Sequence, residues 1–288
     1  MLSNIRSKQL IITGTIAVLI AFLFTRDIKG LVKPKEASSA SATRGDAVQD
    51  AAVKVDLEEI SATAKRNINA NLAAEIGELE SQYKAASENE KIAIAQNLAK
   101  KWHETKQAIP SALYLELIAK QEPSLAHWLT AGDRFLEGFD NTRDSVMLPV
   151  LLQKANLAFK NAVAIDSTNN EAKTGLGITI VNGMGMPMQG IAMLMEVVSK
   201  DPKNLKANMS LGTFAIKSGQ FNKAIIRFKD IVTTNPSPEA YFYLGTAYEN
   251  LDRNKEAINA YVESKKLAAD PKLSKFIDDK VLELKSKN

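Results

Sequence analysis

Apolar residues in this chain recur at helical spacing and almost never alternate. From Leu57 they fall at Ile60, Ala64, Ile68, Leu72, Ile76, Leu79 and Tyr83, in steps of three or four. That spacing predicts one nearly straight helix over 57–83 carrying a single apolar stripe. Asp56 stands where an N-cap belongs, with Glu59 three residues on as in a capping box. The stripe either packs along the start of the remaining fold or joins two copies of the chain. Ser87 opens the next predicted helix, which carries Ile92, Ile94, Ala95, Leu98 and Trp102. Pro110 opens another, with Ala112, Leu113, Leu115, Leu117 and Ile118. Glu122-Pro123 ends it, because Pro cannot continue a helix and biases its predecessor away from helical angles.

Beyond Ser124 the helices come in similar pairs. Leu211-Gly212 is followed by Ala224, Phe228 and Pro236; Leu244-Gly245 by Tyr248, Ala257, Tyr261 and Pro271. The two Leu-Gly pairs lie thirty-three residues apart. An earlier unit has Leu176-Gly177, Ile180, Gly190, Leu194, Val197 and Pro202. A first unit has Trp128, Ala131, Gly132 and Phe135, then Ala155, Phe159 and Ala162. Self-similarity at this period predicts stacked helix pairs. The pattern resembles the tetratricopeptide repeat, whose small residues sit where two helices touch and whose Pro follows the second helix. The resemblance spans 124–270 and is strongest in the last two units. It implies an all-α, right-handed α-solenoid of helix-turn-helix repeats. The expected packing positions are Trp128, Gly132, Ala155, Phe159, Gly177, Gly212, Ala224, Phe228, Gly245, Tyr248, Ala257 and Tyr261. Residues 51–123 then form a leading helical region, 124–271 about four repeats, and 272–288 a capping helix. Leu273, Phe276, Ile277, Val281, Leu282 and Leu284 give that last helix its apolar side.

Two turns depart from the pattern. The stretch 138–149 is expected as a long turn, an insertion on one edge of the stack. The stretch 182–188 reads Asn-Gly-Met-Gly-Met-Pro-Met and breaks any helix. Its methionines are expected to fill core gaps; an adaptable contact surface is the alternative.

The beginning of the chain has a different character. Arg6 and Lys8 precede an uncharged, mostly apolar run over 10–24, closed by Arg26, Asp27 and Lys29. Fifteen helical residues span roughly 22 Å, short of a roughly 30 Å hydrocarbon core. Gln9, Thr25 and the stems of Lys8 and Arg26 extend the run by snorkelling. Residues 1–31 are therefore expected as an uncleaved transmembrane signal-anchor. A cleaved signal peptide and a buried core helix are the alternatives; the nearest cleavage-like sequence, Ala40-Ser41-Ala42, is far downstream. Residues 32–50, with Pro34, Gly45 and a run of Ala and Ser, read as a flexible linker. The expected location is a bacterial inner membrane with the body in the periplasm. A count of flanking Lys and Arg argues instead for a cytoplasmic body.

Composition narrows the chemistry. The 288 residues contain no Cys, which excludes disulfides, thiolate metal sites and a Cys nucleophile. The net charge of +4 is spread along the chain, without the dense basic stripe of a nucleic-acid binder. The two histidines, His103 and His127, have no second His or carboxylate at ligand spacing. No catalytic, cofactor or metal residue is expected, and no enzymatic activity. The resemblance implies binding instead. In the tetratricopeptide family the first helices of successive units line a concave groove. Here that puts Thr174, Ile178, Val181, Lys206, Met209, Thr213, Lys217, Glu239, Phe242, Thr246 and Glu249 in the groove. The repeated Lys and Asn that clamp a terminal carboxylate are missing, so an extended or helical protein segment is the expected occupant. The expected role is a membrane-anchored adaptor or scaffold for an envelope complex. An oligomeric spacer and a non-catalytic accessory subunit of an enzyme complex are the rivals.

Overall fold

Every described element is helical, because the apolar period near 3.6 runs through the chain and proline and glycine fall between the runs. The structure is a computed structural model and describes residues 55–183 and 185–286. The helices are α1 (Leu57–Lys65), α2 (Ala70–Ala85), α3 (Glu88–Glu104), α4 (Ala108–Gln121), α5 (Leu125–Asn141), α6 (Met147–Ile165) and α7 (Asn170–Gly183). They continue as α8 (Pro187–Lys200), α9 (Leu205–Lys217), α10 (Phe221–Thr234), α11 (Pro238–Glu249), α12 (Asn254–Leu267) and α13 (Pro271–Ser286). The expected anchor at 1–31 and linker at 32–50 lie outside the described residues. No described helix is long and apolar enough to cross a membrane.

From α2 onward each helix packs on the next, and odd-numbered helices also touch one another between α5 and α11. The core follows that order. Trp102, Ile76, Leu98 and Ile118 form one cluster; Phe135, Leu151 and Phe159 form the next. Phe228, Tyr248, Tyr261, Ile277 and Leu284 form the last. A row of such clusters is what stacked pairs produce, each burying its face against a neighbour.

The turns show the repeat most directly. The turns after α3, α9 and α11 each close with the same backbone bond: Gln107 N–H to Trp102 O, Gln220 to Ala215 and Arg253 to Tyr248. Each then holds one residue at positive φ: Lys106 at 58°, Gly219 at 72° and Asp252 at 55°. This is the Schellman ending of a helix, which favours glycine at the left-handed position. The pair α3–α4 is thus built as a repeat unit, although its leading segment lacks the sequence pattern.

The packing positions hold two arrangements. A Cβ built on Gly132 would lie 2.8 Å from the Phe159 ring, and one on Gly175 only 2.2 Å from it. Gly212 faces Phe228 and Gly245 faces Tyr261 in the same way, each at 2.7 Å. In these units glycine makes room for an aromatic ring. Among the described residues only Gly177 and Gly190 bring two backbones together, with a Gly190 Cβ 2.6 Å from Gly177 O. Trp128, Ala155, Ala224, Tyr248 and Ala257 are all buried in the stack.

Several expectations are corrected. The 57–83 helix is broken at 66–69, where Asn69 caps α2 by accepting from Asn71 N–H. Its stripe survives the break, and Ala64, Ile68, Ile76, Leu79 and Tyr83 pack inward with α3 and α4. The long turn at 138–149 shrinks to 142–146. Gly138 remains helical beneath Ile109 and Leu151, and Asp144 accepts from Val146 N–H at 2.9 Å. Pro149 falls in the first turn of α6, where its missing N–H costs no helical bond. The unit is longer because both helices are longer. The methionine turn is also corrected: Met186 and Met188 are 59% and 72% exposed, so they fill no core. Met184 lies outside the described residues.

Candidate functional site

Counting from the repeated Gly132, Gly177, Gly212 and Gly245 sets one register for α5, α7, α9 and α11. One residue onward stand Asp133, Ile178, Thr213 and Thr246. Three back stand Leu129, Thr174, Met209 and Phe242, and six back Ala126, Glu171, Lys206 and Glu239. Polar bridges tie this face together across the odd-numbered helices. Lys206 of α9 hydrogen-bonds Asp133 of α5, reaching past α7. Lys217 Nζ donates to Asn182 Oδ1 of α7 at 3.2 Å. Arg134 of α5 meets His103 of α3 and also pairs with Glu137. A lysine on α9 reaches α5 because the face is concave. A cavity of about 400 Å³ lies there, lined by α5 residues that include Leu129, Asp133, Arg134 and Glu137, and by Glu171 of α7.

Curvature also brings the two ends of this face into electrostatic reach. Asp140, at the end of α5, interacts with Lys217 and Lys206 of α9. Glu239, at the start of α11, interacts with Asp140. Both carboxylates reach solvent, yet protein on either side removes part of their hydration. Burial raises the pKa of Asp140 while the two lysines oppose it. Burial raises Glu239, and the charge of Asp140 adds to the rise. Tyr243, one turn along α11, is half-buried and stacks on Phe228 at 5.5 Å between ring centroids. Its phenol is raised first by burial, then by Glu239 and Asp140.

Not every expected groove residue lies open. Lys206, Lys217 and Glu239 are exposed, and Ile178, Val181, Met209 and Thr213 are half-buried. Thr174 is corrected: it is buried, with its hydroxyl donating to Asn170 O at 2.7 Å. At 1% exposure it has no surface to offer. At the far end α13 covers the register. Phe242 packs against Phe276 and Tyr261, and Glu249 accepts from Tyr261 Oη and Lys280 Nζ, both at 2.6 Å. Thr246 sits 3.2 Å from the same Tyr261 hydroxyl. Asp133, Asp140, Glu171 and Tyr243 join the face without having been singled out. Carrying the glycine register back to Gly132 finds Asp133, and the spacing Asp133, Glu137, Asp140 marks one side of α5.

His127 Nδ1 lies 2.8 Å from Glu122 O at the head of α5, and His103 meets Arg134. Among the described residues no group of His, Asp and Glu is placed to hold a metal ion. What the face presents is ordered charge, half-buried apolar side chains and one aromatic phenol along a curved surface.

No protein-family model matches the chain, and no curated protein matches its sequence. Solved structures match its shape. A thermophilic TPR protein of Thermus thermophilus superposes with TM-score 0.54 at 17% identity, over 66% of this chain and 99% of that one. PilW, described as a widely conserved type IV pilus biogenesis factor, superposes with TM-score 0.51 at 17% identity, over 70% of this chain and 93% of that one. At such identity the likeness establishes the fold: the described residues form an all-helical repeat stack like that of tetratricopeptide-repeat proteins.

Proposed function

We propose that this chain is a binding scaffold that holds a segment of another protein along the concave face of α5, α7, α9 and α11. The observation that carries this reading is the Lys206–Asp133 bridge across α7, which reflects a face curved enough to wrap a segment. Around it Met209, Ile178 and Thr213 supply half-buried contact surface, and Lys217, Glu239 and Asp140 supply charge. Surfaces of this kind serve recognition of an extended or helical segment.

The apolar run at 10–24, outside the described residues, completes the proposal. Read as an uncleaved anchor, it tethers the scaffold to a bacterial inner membrane, with the stack on the periplasmic side, and raises the local concentration of whatever the groove holds. Support of envelope-complex assembly is the corresponding role. Because the chain is Cys-free, a single Cys placed in the linker reports sidedness by its labelling with an impermeant reagent. Labelling in intact cells supports an outward body, and protection until lysis overturns it.

The groove is tested by capture from detergent-solubilised membranes with the full chain as bait. Thr213→Arg projects a long cation into the face; Ile226→Arg changes a convex residue that is 63% exposed. A partner retained by the native chain and by Ile226→Arg, and lost by Thr213→Arg, supports the groove. Equal retention by both variants overturns it. The spacer alternative has less to build on, since the stripe of α1 and α2 faces its own chain.

A further inference from the structure

The turns inside the helix pairs share one edge of the stack. A Cβ on Gly138, late in α5, would meet Ile109 of α4 at 3.2 Å and Leu151 of α6 at 3.7 Å. One on Gly183, which ends α7, would come within 2.6 Å of Leu152 of α6. Lys217, which ends α9, donates to Asn182 of α7. The chain enters the stack at this same edge. Val55, Leu57 and Ile60 pack on the core cluster that holds Leu113 of α4, Leu136 of α5, and Leu151 and Leu152 of α6, the side chains beneath those turns.

The edge is apolar where the chain enters it. Val146 in the α5–α6 turn is 61% exposed, and Met186 and Met188 stand out from the neighbouring α7–α8 turn. Farther along, the turn tips are Gly219 and Asp252. No charged side chain occurs between Lys173 and Glu196, so the α7–α8 turn can enter an apolar medium without desolvating a charge. Arg143, exposed beside Val146, suits a lipid phosphate. The opposite edge carries Ile165, Leu205 and Leu267, one to each linker rather than grouped.

The covalent connection says what covers this edge. Thirty residues, 25–54, separate Val55 from the apolar run at 10–24. As coil they span about 30 Å r.m.s.. The opposite edge lies farther off by a helix length, about 21 Å for the fourteen residues of α7. The attachment therefore brings the Val146 and Met186 turns to a bilayer first, and three apolar side chains held at its surface gain a contact too weak to last without a tether.

We propose that the edge formed by the α5–α6 and α7–α8 turns docks on a lipid surface through Val146, Met186 and Met188. This rests on the reading that the run at 10–24 tethers the chain to a bilayer. Docking stands the helices upright on the membrane and sets the groove running along it.

The full, Cys-free chain tests this in vesicles of phosphatidylethanolamine and phosphatidylglycerol. Val146→Cys, Met186→Cys, Ile165→Cys and Ala17→Cys each carry one environment-sensitive fluorophore, and quenching by lipids with a doxyl group on the acyl chain is read. The expected result is blue-shifted emission at 146 and 186, with quenching at least about twofold stronger than at 165. Met186→Asp with Met188→Asp, placed where a helix start favours acids, should halve the quenching at 146. Unchanged quenching in that variant overturns the apolar docking. Quenching at 17 with 146 and 186 no different from 165 overturns the inference and leaves the tether standing. Quenching at 146 and 186 without quenching at 17 supports the docking and removes the tether; none at all three removes both. A blue shift at 146 that grows with protein concentration and is not quenched assigns the edge to a second copy and overturns the proposal.

Discussion

Gly175→Ala adds one methyl group to the most crowded helix contact in the stack. The new Cβ would lie 2.2 Å from Phe159 Cε1 and 2.4 Å from Cδ1 and Cζ. The ring cannot retreat, because its other side faces Gly132, where a Cβ would come within 2.8 Å. Phe159 is fully buried between its own unit and the next. Either α7 must move off α6 or the ring must leave its rotamer, and overpacking of this kind costs about 1–3 kcal/mol. The upper end applies where both walls are backbone. Ala's better helix propensity returns about 1 kcal/mol. The net expectation is a loss of about 2 kcal/mol, seen as a lower urea midpoint in circular dichroism. Gly77→Ala is the matched control: nothing lies within 4 Å of its Cβ, so it should gain about 0.5–1 kcal/mol. Adding Phe159→Leu to Gly175→Ala should cost less than Phe159→Leu alone, since the smaller side chain vacates the clash. A Gly175→Ala protein as stable as Gly77→Ala would refute the reasoning.

The remaining expectations concern caps and charges. Lys106→Gly should stabilise by about 1 kcal/mol in thermal melts, because it relieves a left-handed residue at the position Gly219 fills in a later unit. Tyr261→Phe removes a donor from Glu249 and loosens the hold on α13; a loss of about 1–2 kcal/mol and faster amide exchange confined to α12 and α13 are expected. Glu116 is nearly buried, and although burial opposes its ionisation, Lys120 and Lys154 together hold its pKa below the ordinary value. Its contribution is therefore present above the unfolded pKa near 4.5 and lost as pH falls through the lower folded value. Glu116→Gln should cost about 1–3 kcal/mol at pH 7 and flatten the acid limb of a stability–pH curve. Asp140 and Glu239 have the opposite sign. Their raised folded values, set by burial in both, opposed by Lys217 and Lys206 at Asp140 and reinforced by the charge of Asp140 at Glu239, favour the fold below the unfolded pKa and weaken it as pH rises through the folded one. Asp140→Asn with Glu239→Gln should thus raise stability at pH 7, by no more than about 1 kcal/mol after solvent screening, and leave it unchanged near pH 3.

How far the sequence reaches depends on whether a feature is local. The Leu-Gly pairs, the Pro after each second helix and the Glu122-Pro123 stop are read directly, because each acts within one turn of its own helix. The break at 66–69 was hidden, since the apolar period passes through the turn undisturbed and Asn69 looks like any polar residue of a helix. The 138–149 stretch misled for the reverse reason. Gly138 and Pro149 look like breakers, but one is buried in a helix and the other falls in a first turn where proline is tolerated. Lys106 gave no sign of its left-handed turn because the residue expected there is glycine. The groove was half legible: its register follows from spacing, whereas curvature, which brings Asp140 into electrostatic reach of Glu239 and puts α13 over Phe242 and Glu249, is a sum of small rotations that no single motif encodes.

The central claim, that the partner lies on the concave face, is tested most directly by photo-crosslinking in the native cell. A photoreactive residue replaces Lys217 on that face in one strain and Ile226 on the opposite side in another. The account predicts a discrete crosslinked partner from position 217, absent from position 226 and weakened by Thr213→Arg. A partner captured from position 226 and not from 217 would contradict it.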